Sequence, residues 1–476
     1  MKIRLGAGKL NMSEASGFTG GFLVGGGNAE FDSICTDSRE AGPGVLFVAL
    51  RGERTDGYDY IPQAAKVGCR CVVAERIDSS LPGEITALIV PDSQRALLDI
   101  ARGYRERVSC RRVGITGSVG KTTTKEYISA VLAERYMTHK TAGNYNSLIG
   151  MPLTLVETPA GTEVSVLEMA MSALGEIEQM SRLARPDIAV ITNIGTSHME
   201  MLGSREKIMK AKFEILAGLA EGGALILNGD EPLMLSYSPK PEGTLYVALK
   251  NRRADYYAHN IRQCGEGTEF DLTENHNKRT VRDIRIPALG NHNVYAALLA
   301  WAVGSVTGLC EDEIRRGLMK YRGAEMRQKI FELCGITIIE DCYNASPESM
   351  RAAIDVLVSL GEGGGRTVAL LGDMLELGKN TEMYHKSTGA YAAECGVDIL
   401  FTLGSLARFI AAGALAAGMS DENIFVNIDE NTYSATAAEL AGVLREGDIL
   451  LVKASRAIRA ERVIGCLSDI LVTRSI

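Results

Sequence analysis

The chain has 476 residues, 46% of them hydrophobic and 23% charged, with a formal net charge of −8. Such a length exceeds one hydrophobic core and calls for about two to four domains. The acidic balance disfavours a nucleic-acid partner or a membrane surface, both of which draw on a basic surplus. The 10 cysteines are scattered without a C-x-x-C pair, the pattern of a reducing cytosol and not of a disulfide framework. Lys2 and Arg4 are followed by Gly, Ser and Asn, unlike a signal peptide, and no apolar run nears the ~20 residues that span a bilayer. A soluble, cytoplasmic protein is expected, with no membrane or nucleic-acid partner and a monomer as its assembly.

Residues 1–107 read as a small α/β domain, with strands at Phe47–Leu50, Cys71–Ala74 and Ala87–Val90 and a helix at Ile61–Val67. The basic cluster Arg105, Arg107, Arg111 and Arg112 marks a boundary. Residues 108–325 open with a βαβ pattern: strand Val113–Thr116, then a helix over Thr122–Arg135 with Tyr127, Ile128, Val131 and Leu132 on one face. Strands follow at Val164–Met169, Asp187–Asn193 and Ala224–Asn228. Runs apolar at nearly every position predict a parallel sheet covered on both faces. A helix is predicted over Arg205–Ala220, residues 245–288 read as irregular and β-rich, and another helix runs from about Asn293 to Val306. A second boundary falls near Tyr321–Arg327, and Cys334 sits in the strand-like stretch before Ile336. Residues 326–476 then alternate strand and helix: Ile336–Glu340, Pro347–Leu360, Thr367–Leu371, Thr381–Cys395, Ile399–Leu403, Leu406–Ala417, Ile449–Val452 and a last helix. Ser346 and Pro347 make an N-cap and N1 pair for the helix at 347. The fold class is α/β in three domains: a small N-terminal one, a central P-loop-type parallel sheet, and a Rossmann-like C-terminal one.

Gly117-Ser118-Val119-Gly120-Lys121-Thr122, continued by Thr123, stands between a strand and a helix. Glycines let backbone N–H groups approach a phosphate there, Lys121 reaches the outer phosphates, and the Thr122 hydroxyl suits Mg²⁺. Ile115 occupies the first glycine position of the usual pattern, and a tight strand–helix turn is the plainer reading. Glu168 and His198 end successive strands on the edge that carries the loop; a solvated strand end and a structural histidine are their plain alternatives. Lys212 falls in the apolar stripe of Ile208, Ala211, Ile215, Leu216 and Leu219. There its pKa is depressed unless it snorkels or pairs, for example with Glu168.

Taken together, from about Thr36 to the C-terminus, these residues resemble the Mur ligase family. Its T-G-x-x-G-K-[ST] loop, strand-end Glu, T-N-I-G-x-x-H segment and A-K pair are matched at Thr116–Thr122, Glu168, Thr192–His198 and Ala211-Lys212. The resemblance implies two Mg²⁺ ions held by Thr122, Glu168, His198 and a carbamylated Lys212. Gly290-Asn291-His292-Asn293 is similar to the family's G-x-H-N, implying that Asn293 reads adenine. Arg327 and Asp341 match its phosphate and ribose residues, Lys453 its C-terminal substrate-side lysine, and Asp37-Ser38-Arg39 its UDP-sugar signature. Three segments resemble the branch that adds D-alanyl-D-alanine: Asn144–Thr154, Asp341–Pro347 with Asn344 and Ser346, and Leu371–Gly378 with His385. His385 itself reads as structural, and Asn293 could also cap its helix. Departures are Tyr58 for a common His, Ala170 for Gly and Ala296 for Asn.

The implied reaction is an ATP-dependent one. A UDP-N-acetylmuramoyl-tripeptide carboxylate becomes an acyl phosphate, the D-alanyl-D-alanine amine attacks, and ADP and phosphate leave. The alternatives are a sister Mur or folylpolyglutamate-type ligase and, from another class, a P-loop ATPase or kinase acting as a switch. A dinucleotide-binding oxidoreductase would need a G-x-G-x-x-G after a C-terminal strand, and none is there.

Overall fold

The computed structural model describes residues 1–25, 29–52, 55–77, 84–265, 267–429 and 432–474. Three large sheets follow one another along the chain. The first takes its strands in the order Lys2–Arg4, Ser33–Cys35, Val45–Val48, Cys71–Ala74, Thr86–Ile89 and Phe22–Val24, parallel inside and antiparallel at both edges. Every residue of Val45–Val48, Cys71–Ala74 and Thr86–Ile89 is buried, because helices and neighbouring segments cover both faces.

The central sheet has nine strands in the order Thr138–Lys140, Val164–Glu168, Arg111–Thr116, Ile188–Ile191, Ala224–Asn228, Leu245–Ala248, Tyr256–Cys264, Gly267–Glu274 and Arg279–Ile286. The first seven are parallel and the last two turn antiparallel. Residues 245–288 are therefore β-rich, as expected, but more regular than expected. Bulges between His259 and Arg262 and between Phe270 and Leu272 break the two-residue alternation that marks a strand in sequence. The helix expected over Arg205–Ala220 also differs: it is α-helical over Arg205–Phe213 and tightens to a 3₁₀ turn over Glu214–Gly218. Tertiary contacts set that change. The Glu214 carboxylate accepts the Gly175 N–H at 2.8 Å, and a Cβ on Gly218 would lie 2.0 Å from the Ser181 carbonyl oxygen.

The third sheet runs Lys329–Leu333, Ile336–Asp341, Ile449–Lys453, Thr367–Gly372, Ile399–Leu403 and Ile424–Asn427, all parallel except the first pair. Cys334 is exposed in the turn between the first two strands, at φ 49°, and not within a strand. The last three strands and their helices wind away from Ile449–Lys453 on one side, and Ile336–Asp341 lies on the other. That change of direction opens a crevice at the strand ends. The N-terminal and central units share one hydrophobic cluster, whereas the C-terminal unit builds two others, one on each face of its sheet, the second joined by Leu289 of the central unit. All 10 cysteines lie among the described residues and none forms a disulfide. No described helix is long and apolar enough to cross a membrane.

Candidate active site

The phosphate-type loop leaves the end of strand Arg111–Thr116 and enters helix Lys121–Leu132. Gly117 is required sterically: φ is 148°, and a Cβ would stand 1.9 Å from Thr192 Oγ1. The loop is strapped to the segment after strand Ile188–Ile191. Asn193 Oδ1 accepts the N–H groups of Ser118 (3.1 Å) and Val119 (2.9 Å), the Thr192 hydroxyl donates to the Val119 carbonyl (2.6 Å), and the Gly195 N–H donates to Ser118 Oγ (2.9 Å). The N–H groups of Lys121, Thr122 and Thr123, at the helix start, have no acceptor within the helix and are the anion-ready donors. The Lys121 ammonium folds back onto the carbonyls of Gly117 (2.8 Å) and Ser118 (3.2 Å). Burial lowers its pKa to about 8, against the opposing Glu168 carboxylate and with help from Arg327.

Glu168 ends the neighbouring strand, Val164–Glu168, and is buried. Its Oε1 accepts from Thr122 Oγ1 (3.2 Å) and Asn146 Nδ2 (2.8 Å). Its Oε2 lies 3.6 Å from the ammonium of Lys125, a buried residue that also donates to the Thr141 carbonyl at 2.8 Å. The ion pair weighed for Lys212 thus falls to Lys125, one turn into the loop's own helix. Lys212 is fully buried, and its Nζ has no hydrogen-bond partner among the described residues. Burial first, and the Lys121 ammonium second, hold its amine well below the usual lysine range. His198, at φ 62°, brings Nδ1 to 2.7 Å from Glu376 Oε2 of the C-terminal unit.

A cavity of about 360 Å³ between the central and C-terminal units gathers most of these groups. Ser118, Val119, Gly120, Lys121, Thr122 and Thr123 line it from the loop, with Asn144, Glu168 and His198 beside them. Asn293 lines it from the central helix Asn291–Thr307, and Arg327, Asp341, Asn344, Ser346 and Lys453 close it from the C-terminal unit. Lys212 and Gly117 are outside this lining. Asp341 and Lys453 are register partners on adjacent strands, so their side chains share a face; Lys453 Nζ donates to Asp341 Oδ2 (2.6 Å) and to the Asn344 carbonyl (3.0 Å). The Arg327 guanidinium lies 4.0 Å over the Tyr343 ring. Asn293 is not a helix cap: its helix is Asn291–Thr307 with Gly290 at the cap. Its amide instead donates to the Leu289 carbonyl (2.8 Å) and to Gln328 Oε1 (2.7 Å). Ser346 does cap Pro347–Gly361, accepting the Ser349 N–H at 3.3 Å.

Asp37, Ser38 and Arg39 stand apart from this cavity and line another, of about 810 Å³, in the N-terminal unit. Asp37 caps the turn Ser38–Glu40 and pairs with the Arg39 guanidinium at 2.6 Å, which holds its carboxyl well below the usual range. His385 is buried and structural, with Nε2 accepting the Met374 N–H at 3.0 Å and Nδ1 2.7 Å from the Thr381 carbonyl.

Among the described residues no three His, Cys, Asp or Glu side chains come together as a ready metal cage. A divalent cation still fits beside the loop. Glu168 Oε2 is buried with no hydrogen-bond partner among the described residues, and Thr122 Oγ1 adjoins Oε1 of the same carboxylate; hard cations take oxygen donors of this kind and complete their shells with phosphate and water. Asn193, Lys125, Asn146, Gln328 and Glu376 belong to the site's framework but carried no assigned role in the sequence. Asn146, Asn193 and Glu376 lie inside quoted motifs. Lys125 had one signal, a cation at helical spacing from the apolar Ile128 and Leu132.

Three domain families match the chain in order: "Mur ligase family, catalytic domain" over residues 30–105, "Mur ligase middle domain" over 115–304 and "Mur ligase, glutamate ligase domain" over 326–456. The Bacillus subtilis (strain 168) protein named UDP-N-acetylmuramoyl-tripeptide--D-alanyl-D-alanine ligase is 42% identical over 432 residues, 90% of this chain and 92% of that one. A crystal structure of MurF from Acinetobacter baumannii superposes with a TM-score of 0.86 at 28% identity, covering 97% of this chain and 99% of that one. MurF ligase from Thermotoga maritima, in complex with ADP, superposes with a TM-score of 0.82 at 29% identity, covering 93% and 98% of the two chains. With all three domains matched in order and its relatives covered nearly end to end, the chain belongs to the Mur ligase family.

Proposed function

We propose that this enzyme uses ATP to join D-alanyl-D-alanine to a UDP-N-acetylmuramoyl-tripeptide, giving ADP and phosphate, a step in peptidoglycan precursor synthesis. The observation that carries the reading is the shared cavity. It sets the phosphate loop and Glu168 against Asp341, Asn344 and Lys453 from the C-terminal strand ends. The names of the relatives supply the substrates. Domains at 1–107, 108–325 and 326–476 would then hold the UDP-sugar, ATP and the incoming dipeptide. Asp37, Ser38 and Arg39 contact the UDP-sugar, and Asn144, Asn344 and Ser346 the peptide substrates. Asn293, Arg327 and Asp341 seat the nucleotide.

A carboxylate is a poor acyl donor, so its oxygen first takes the γ-phosphoryl group and ADP departs. The dipeptide amine then attacks the acyl carbon, phosphate leaves with the C–O bond pair, and the nitrogen gives up one proton to the departing phosphate or to water. Lys121 and the N–H groups of Lys121, Thr122 and Thr123 balance charge on the transferring phosphoryl group. Lys453, already donating to Asp341 and the Asn344 carbonyl, holds the C-terminal side of the pocket in register with it. Thr122, Glu168 and His198 are the groups that would hold Mg²⁺, two ions by resemblance to the family. When bound, the metal neutralises phosphate charge. Lys212 joins that set only after its neutral amine adds CO₂ and releases a proton, which turns a cation into a carboxylate-like anion. Closure of the two units excludes water that would hydrolyse the acyl phosphate.

The reading takes the enzyme as a monomer. ATP use and cysteines without disulfides support a cytoplasmic setting, and the net charge of −8 disfavours a nucleic-acid or anionic-membrane partner. Omitting each substrate in turn while following nucleotide products tests the reading. ADP and phosphate are expected only when tripeptide, dipeptide and Mg²⁺ are all present; AMP as the main product, or ADP release indifferent to the acceptors, would overturn it.

A further inference from the structure

His198 follows the central strand Ile188–Ile191 and Glu376 follows the C-terminal strand Thr367–Gly372, so a contact between them bridges two units. Both are non-glycine residues in the left-handed region, at φ 62° and φ 63°. Such backbones persist where the surroundings over-determine them, and they cluster where side chains must be aimed. Here they aim at one another, with His198 Nδ1 and Glu376 Oε2 2.7 Å apart. The loop that carries Glu376 is pinned from its own side. Asp373 accepts the Leu406 and Ala407 N–H groups (3.0 and 2.6 Å), Met374 N–H donates to His385 (3.0 Å), and Leu375 N–H donates to Ser455 Oγ (3.0 Å).

The two units also meet through backbone. The Glu200 N–H donates to the Glu376 carbonyl at 3.0 Å, and Gly378 comes so close that a Cβ would stand 3.1 Å from Glu200 Cα. His198 lines the cavity that holds Lys121, Thr122 and Glu168; Glu376 lines only the adjoining one.

We propose that Glu376 is a positioning residue delivered by the C-terminal unit: its carboxylate accepts the His198 Nδ1–H, fixes the ring's tautomer and angle, and leaves Nε2 as the electron-pair donor for a divalent cation. A carboxylate behind a ligating imidazole acts this way in metal sites generally. The histidine is then set only when the two units are together, so closure and completion of the site are one event. The inference rests on the reading of His198 as a site residue.

A double-mutant cycle on the full-length enzyme tests it, with ADP release followed at saturating substrates over a wide range of Mg²⁺ and, apart from turnover, Mn²⁺ binding titrated by electron paramagnetic resonance, which Glu376→Ala should weaken about 10–100-fold. Glu376→Ala keeps the backbone latch at Glu200, and the half-exposed side chain adds little to folding, which an unchanged thermal midpoint checks. It should lower kcat about 10–100-fold and raise the Mg²⁺ needed for half-maximal rate, while the KM for ATP moves less than about threefold. Glu376→Gln, whose amide oxygen can still accept Nδ1–H, should recover most of the rate. In a His198→Ala background, Glu376→Ala should cost nothing further. A full rate in Glu376→Ala beside an inactive His198→Ala, a Gln variant as slow as Ala, or equal losses in both backgrounds would each overturn the inference. A full rate in His198→Ala would instead overturn the site reading itself, and the inference with it.

Discussion

Replacing Lys212 by methionine should make the central unit more stable and the enzyme inactive. Lys212 is fully buried and its Nζ has no partner among the described residues. A buried polar group left unmatched costs about 1–3 kcal/mol, more if it stays charged. Methionine keeps the unbranched stem and near-equal volume, so it removes that cost without opening a cavity. The expected gain is about 1–3 kcal/mol, and each kcal/mol raises the midpoint of a unit of this size by about 2–4 °C. The assay is thermal unfolding of both proteins in metal-free, CO₂-depleted buffer, read on the transition of the central unit because a chain of several units need not unfold in one step. Added bicarbonate and Mg²⁺ should stabilise the wild type alone and narrow the gap. Turnover should vanish in Lys212→Met and in Lys212→Arg, and small carboxylates should restore part of it to Lys212→Ala. A methionine variant that unfolds more readily by over about 1 kcal/mol would mean that the amine has a partner. Near-normal turnover in Lys212→Arg would remove Lys212 from the chemistry.

Lys125→Met should have the opposite sign, costing about 3 kcal/mol on denaturant unfolding, since it leaves the buried Glu168 carboxylate without its cation; an unchanged midpoint would show the pair to be idle. Asn193→Ala removes the acceptor for the Ser118 and Val119 N–H groups, so the KM for ATP should rise about tenfold, the equivalent of about 1.4 kcal/mol, with a smaller change in kcat; an unaltered KM would mean that the loop holds its shape without the strap. His139 supplies a pH dependence, because burial lowers its pKa from 6.5 to about 4. The unfolded chain takes up that proton first as the pH falls, so native stability is complete above pH 6.5 and drains away down to about pH 4. The interval is worth about 3 kcal/mol at most, and about 1–2 kcal/mol for a ring partly open to water. His139→Gln should flatten that stretch of the stability–pH curve, and a curve unchanged by the substitution would refute the assignment.

The parts of the fold that were legible in the sequence are those whose pattern is local. Cys71–Ala74, Ala224–Asn228 and Ile399–Leu403 are strands at the expected limits because short apolar runs between polar turns admit little else. Ser346-Pro347 marked its helix start for the same reason. Features set by contacts distant in sequence were not legible. Bulges hid the regularity of the strands after Tyr256, and the Glu214 and Gly218 contacts with the helix Glu176–Ala184 and the turn before it ended the Lys212 helix early. The site divides in the same way. Gly117 through Thr122 could be read as a phosphate loop, but the Asn193 strap depends on two strands lying side by side. The apolar stripe around Lys212 announced a buried amine, yet only the packed structure assigns Glu168 to Lys125 and leaves Lys212 alone.

The most direct test of the central claim is the mass of the UDP-linked product formed from UDP-N-acetylmuramoyl-tripeptide, ATP and Mg²⁺ with D-alanyl-D-alanine or with single amino acids. The account predicts one new species, heavier by the dipeptide less one water, formed with the dipeptide alone and matched mole for mole by ADP. A product carrying a single amino acid, or ADP without any heavier UDP-linked species, would contradict it.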